Sequence, residues 1–174
     1  MTTSRQTVVV TDASVVINLL HVGRLPMLLH LPGLRFVVPD DVVMEVTDIE
    51  QRAALGSAIS GGMIERCQLN AQDGAPLILE LSGRLGLGEI ACLALAELHG
   101  WTIACDERRF FRAETIRRVG TTRLIGTPEL FLQAIEAQAI TIEEADADKA
   151  TLEQKSFKMR FGSFSELLET RRER

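Results

Sequence analysis

The sequence predicts an α/β fold with a parallel central sheet and helices on both faces. Short, wholly apolar runs alternate with helical stretches almost throughout, as in chains built from βαβ units. Four acidic residues, Asp12, Glu45, Glu89 and Asp106, stand where an apolar strand gives way to a helix. The 174-residue chain, 46% apolar and 25% charged, has the composition of one globular domain that buries roughly two-thirds of its unfolded surface.

The elements follow in order. Residues 7–11 (TVVVT) read as a buried strand, 13–20 as a helix at its carboxyl end, and 24–30 as a second short helix. Pro32 and Gly33 break the chain before a strand over 34–38. Pro39 lies just outside the next helix, expected over 42–51 with Asp40 as its N-cap. A further helix over 53–59 stops at Gly61 and Gly62. Residues 63–67 suit a short strand, 68–76 a loop, and 77–81 the start of a helix that Gly83, Gly86 and Gly88 interrupt. Then come a helix over 89–99, a strand over 101–105, a helix over 108–119, a strand over 122–125 and a helix over 128–137. Pro128 fits the first turn of that last helix, with Thr127 as its cap. Residues 1–140 thus form the body of the domain. Residues 141–174 are a charge-rich helical extension that packs on the domain or mediates association, with Thr141 capping its first helix and Ser163 or Ser165 its last.

Several classes drop out. No apolar run reaches the ~18 residues of a membrane span, and the N-terminus lacks a cleavable-signal layout, so a cytoplasmic protein is expected. Cys67, Cys92 and Cys105 are odd in number and have no C-x-x-C spacing, which argues against a disulfide framework or a structural zinc site. His21, His30 and His99 lack metal-ligand spacing and read as helix-surface or helix-end residues. Gly83, Gly86 and Gly88 follow no clear strand and precede no Lys-Ser/Thr pair, so they suit a turn delivering Glu89 better than a phosphate loop.

The four carboxylates carry the chemistry. In an open parallel sheet the strands' carboxyl ends share one crevice, and acidic groups there need a positive partner. An oxygen-rich set of this kind suits Mg²⁺ or Mn²⁺ and points to metal-dependent phosphoryl chemistry. Each residue has a plainer account. Asp12 and Asp106 would cap the helices after them, Glu89 would answer a helix dipole, and Glu45, with Asp41 one turn earlier, would be a solvated helix residue.

These strings together resemble the PIN domain family of metal-dependent ribonucleases, and within it the prokaryotic subgroup allied to toxins of toxin–antitoxin pairs. The likeness is carried by VVVTDASVVINLLHVGRLPMLL, VVPDDVVMEV, LGLGEIACLALA, CDERRFFR and RLIGTPELFLQAIEAQAI, over about residues 8–142. It implies a three-layer α/β/α sandwich of Rossmann-like topology with a central parallel sheet. It also implies metal-binding, catalytic carboxylates at Asp12, Glu45, Glu89 and Asp106, with Ser14 as the polar residue of the opening motif. The implied activity is Mg²⁺- or Mn²⁺-dependent hydrolysis of RNA phosphodiester bonds, by a homodimer with a small antitoxin partner. Ala104 and Cys105 stand where many members have Thr or Asn. A further downstream acid has only Glu107 and Glu114 as candidates.

The net charge of −5 is unevenly spread. Residues 107–123 hold six arginines against two glutamates, a local +4 that leaves about −9 elsewhere, and a phosphate backbone would feel that patch. Arg108, Arg109 and Arg112 share roughly one helix face beside Asp106 and are the RNA-binding candidates. With no Tyr, and Trp101 expected in the core, the sequence offers no stacking platform. The rival reading is a non-catalytic module of the same fold that binds RNA or a protein. A nucleotide sensor lacks any glycine fingerprint after the first strand.

Overall fold

Five parallel strands form one sheet in the order β3-β2-β1-β4-β5 in the computed structural model, which describes residues 6–107 and 109–172. They are β1 (Thr7–Thr11), β2 (Leu34–Pro39), β3 (Glu65–Cys67), β4 (Thr102–Ala104) and β5 (Leu124–Ile125). All five residues of the central strand β1 are β-branched, with Val9 and Val10 at 0% exposure, as a strand covered on both faces requires. Helix α1 (Ala13–His21) packs with α3 (Ile49–Ser60), α7 (Thr127–Glu136) and α8 (Ile142–Gln154). Helix α5 (Leu87–His99) packs with α2 (Asp40–Glu45), α4 (Ala71–Leu81) and α6 (Phe110–Val119). The result is the expected three-layer α/β/α sandwich. No helix among the described residues is long and apolar enough to cross a membrane.

Several boundaries differ from the sequence expectation, each for a local reason. Asp40 does not cap a helix over 42–51. β2 runs through Pro39, α2 starts at Asp40 and ends at Glu45, and the Asp40 carboxylate pairs with Arg66 instead. Asp48 caps the next helix by accepting from Gln51 N at 2.9 Å, so the break falls at 46–48 and one helix, α3, runs to Ser60. Residues 71–76 belong to α4 rather than a loop, since Asn70 accepts from Gln72 N. Gly74 looks like a breaker but permits packing, because a Cβ there would lie 2.7 Å from the Leu69 side chain. Pro76 costs α4 one backbone bond, and the helix persists around it. Residues Thr121–Arg123 form a 3₁₀ turn, leaving only Leu124–Ile125 as the edge strand. Trp101 is half-buried rather than core, stacked on His99 at 4.5 Å.

The C-terminal segment packs closely on the sandwich. Its helix α9 (Phe164–Arg172) begins at a Phe164 with 0% exposure, stacked on Phe131 of α7 at 5.7 Å. Asp146 of α8 accepts from Phe164 N, and Ser163 accepts from Glu166 N as the cap. The thiols of Cys92 and Cys105 are free and buried.

Candidate active site

β1 and β4 lie side by side, with Thr11 opposite Ala104, and Asp12 N donates to Ala104 O at 2.9 Å. Consecutive connections leave β1 and β4 toward opposite edges of the sheet, which makes their carboxyl ends the switch point where open α/β sheets bind ligands. Asp12 and Asp106 therefore emerge at one crevice. Asp12 caps α1 by accepting from Ser14 N at 3.2 Å. The capping account is true of this residue, and it leaves the carboxylate facing the crevice mouth of its strand.

Ser14 ties the two aspartates together. Its Oγ donates to Asp12 Oδ2 at 2.6 Å and accepts from Asp106 N at 3.1 Å. Asp106 does not cap the helix after it, since α6 begins at Phe110 with no side-chain cap bond. It serves α7 instead. Thr127 N donates to Asp106 Oδ1 at 2.8 Å, and Thr127 Oγ1 donates to Asp106 Oδ2 at 2.5 Å. Asn18, one turn beyond Ser14 on α1, is the third donor to this carboxylate, reaching Oδ2 at 2.8 Å. Thr127 is thus not the expected cap of α7. Gly126 takes that position, Glu129 accepts from Gly126 N, and the Thr127 hydroxyl is spent on the aspartate.

Glu45 and Glu89 reach the site from α2 and α5. Glu45 accepts from Gly88 N at 3.0 Å, and Glu89 from Gly86 N at 2.9 Å. Each keeps one carboxylate oxygen that accepts no hydrogen bond among the described residues. The glycines act as donors to the carboxylates, not as a phosphate loop. Gly88 also lies so near that a Cβ on it would collide with the Glu45 carboxylate and touch Val42 at 3.0 Å. The exposed glutamate would swing away, and alanine's better helix propensity would offset much of the strain. Gly88→Ala should therefore leave the melting temperature within a few degrees of wild type. If Glu45 helps to hold a cation, the same change should weaken Mn²⁺ affinity about tenfold or more; equal affinity would remove Glu45 from the set.

The electrostatics are one-sided. Burial raises Asp12, and Glu107 adds to the rise against the opposing bonds from Ser14 and Ala13. Burial likewise raises Asp106 despite its donors, with Glu129 contributing. Glu45 is raised by desolvation and by Asp12 and Asp41, and Glu89 by desolvation and by Asp12, Glu107 and Glu45. None of the four takes part in an ion pair among the described residues. Of the two candidate downstream acids, Glu114 is engaged by Arg117 and Arg118, which hold its carboxyl down, whereas Glu107 acts on Asp12 and Glu89.

No three His, Cys, Asp or Glu side chains among the described residues close on a single point as a finished metal cage. Each carboxylate accepts from its own donors. The donor set nonetheless fits a hard divalent cation, being all oxygen, buried at its centre and without a counter-charge. Asn18 and Glu129 were not singled out from the sequence, and Thr127 was read only as a helix cap. Asn18 could have been singled out from its i,i+4 spacing to Ser14; Thr127 and Glu129 reach the site only through the fold.

A family model for the PIN domain matches residues 8–170. The chain belongs to the PIN domain family. PIN domains are generally nucleases and typically depend on divalent metal. The match runs past residue 142 into α9, so it takes in the C-terminal segment as well. No curated protein matches the chain.

The basic stretch divides in two. Arg117 and Arg118 are bound in ion pairs with Glu80, Glu97 and Glu114 from α4, α5 and their own helix, and Arg123 donates to Val119 O. Arg109 and Arg112 are exposed. Arg108 lies outside the described residues.

Proposed function

We propose that this PIN domain is a Mg²⁺- or Mn²⁺-dependent endoribonuclease of the toxin-like kind. The observation that carries the proposal is four carboxylates around the switch point, each raised first by desolvation and further by a neighbouring acid, with no cationic side chain paired to them among the described residues. Desolvated acids without a counter-charge are suited to a ligand that supplies positive charge. Asp12 and Asp106 are the residues to bind it directly, and Glu45 and Glu89 to bind from the rim, directly or through water. A divalent ion, when bound, supplies Lewis-acid stabilisation of phosphoryl charge and activates the attacking water. Ser14 fixes the Asp12 carboxylate relative to the Asp106 backbone, while Asn18 and Thr127 hold the Asp106 carboxylate in one orientation. Arg109 and Arg112, both exposed, would receive the RNA backbone. A small antitoxin that covers the acidic crevice, a homodimer and a cytoplasmic setting belong to the same proposal.

The second reading is a PIN-fold module that binds RNA or protein without cleaving. It is favoured by Ala104 and Cys105 before Asp106, and by the acidic net charge of −5. Calorimetric titration with Mn²⁺ separates the two. The nuclease reading requires saturable binding to the wild-type protein that Asp106→Asn removes; an identical heat trace from both proteins contradicts it.

A further inference from the structure

A cleft of about 520 Å³ begins at Asp106 and Gly126 and runs outward between α6, α7 and the C-terminal segment. Its size suits a small-ligand site, about 300–1,000 Å³. Arg112 lines it from α6, and Arg160 and Arg171 from the opposite, C-terminal wall. These three stand apart from most other described arginines. Arg24, Arg35, Arg66, Arg117 and Arg118 are ion-paired, Arg52 and Arg123 bond backbone carbonyls, and Arg84 lies over the Phe110 ring. Arg112, Arg160 and Arg171 are exposed and make no ion pair or side-chain hydrogen bond among the described residues. An acidic protein has thus left three guanidinium groups unneutralised around one cleft, and that cleft starts at a candidate active-site carboxylate.

The apolar lining sorts in the same way. Phe161 packs edge-on to Phe164 at 5.0 Å. Phe157, half-buried on the cleft wall, has no aromatic partner among the described residues. A ring beside guanidinium groups is the combination that binds single-stranded nucleic acid, with the base on the ring and the phosphates on the cations.

We propose that this cleft holds the nucleotides flanking the cleaved bond of a single-stranded RNA, with phosphates on Arg112, Arg160 and Arg171 and a base stacked on Phe157. The inference rests on the ribonuclease reading and extends it by giving the C-terminal segment a role in substrate binding. An acidic peptide would use the arginines but leave the ring without a planar partner, which is why RNA is favoured.

The test is fluorescence anisotropy of a 5′-labelled single-stranded RNA decamer with the full chain in EDTA, so that binding is read without cleavage. The Arg160→Ala/Arg171→Ala double variant should bind about tenfold more weakly or worse at low salt. Its plot of log affinity against log salt should be shallower by about 1.4, or 0.7 for each lost phosphate contact on a single strand. Phe157→Leu should weaken binding with the slope unchanged, and Arg117→Ala, whose guanidinium is ion-paired elsewhere, should change neither. Wild-type affinity and slope in the double variant would overturn the proposal, as would arginine-dependent binding of a polyglutamate peptide with none of RNA. If the double variant binds like wild type while Mn²⁺-dependent cleavage by wild type persists, the cleft assignment fails alone. If wild type neither binds nor cleaves RNA, both readings fail.

Discussion

Asp12→Asn should melt at a higher temperature than wild type when both are free of divalent cation at neutral pH, and should lose the stabilisation that Mn²⁺ gives wild type. Burial raises the Asp12 carboxyl above its ordinary value, as it does those of Glu45, Glu89 and Asp106. For a carboxyl raised on folding, the stabilising contribution is complete below the unfolded value of about 4 and is lost as pH rises through the folded value. The cation-free protein therefore carries these groups at a cost in the neutral range. Asparagine removes one charge and still caps α1 through its side-chain oxygen. A cation that binds only the folded state adds about 2.7 kcal/mol at a hundred times its Kd, or roughly 5–10 °C for a domain of this size. That shift should grow as pH rises and vanish below about pH 4, where the carboxyls hold protons. Glu114 and Glu144 are shifted the opposite way, so the informative quantity is the difference between wild type and variant. Thermal melts from pH 4 to 8 with and without Mn²⁺ read it directly; equal cation shifts in both proteins would exclude Asp12 from the binding set.

The sheet and the strand-end positions of Asp12 and Asp106 were legible because both are local, whereas Glu45 closes α2 and Glu89 opens α5 instead of following a strand. A β-branched run ending in an acid, as at TVVVTD, shows strand, boundary and carboxylate within six residues, and Pro128 marks its helix start in the same way. What was not legible depends on contacts distant in sequence. Thr127 has the form of a cap, and only the placement of β4 beside β5 reveals that its hydroxyl serves Asp106. Gly74 and Pro76 read as loop because the packing of Gly74 on Leu69 is invisible in composition. Arg117 and Arg118 counted toward a basic patch until Glu80 and Glu97 came in from other helices to neutralise them. Arg160 and Arg171, more than fifty residues beyond Asp106, could not be assigned to the same cleft before the chain had folded back.

Phe164→Ala should destabilise the whole domain by about 3–5 kcal/mol, the range for truncating a buried aromatic. Phe164 is fully buried against Phe131 and Phe161, and its backbone is tied to Asp146. The loss should therefore appear in a single cooperative transition that also reports Trp101, which lies next to β4 on the sheet. Urea unfolding followed by Trp101 fluorescence and by circular dichroism checks this. Coincident curves shifted together would show one structural unit from β1 to α9. A Trp101 transition unchanged from wild type would show that the C-terminal segment is an independent appendage.

The central claim is that the carboxylates at the switch point cleave RNA with a divalent ion. Its most direct test is cleavage of an end-labelled RNA pool by purified wild-type protein and by Asp12→Asn, each with Mn²⁺ and with EDTA. The account predicts internal cleavage by wild type with Mn²⁺, and none by the variant or in EDTA. Cleavage that survives in folded Asp12→Asn or under chelation, or its absence from wild type with Mn²⁺ on every RNA in the pool, would contradict it.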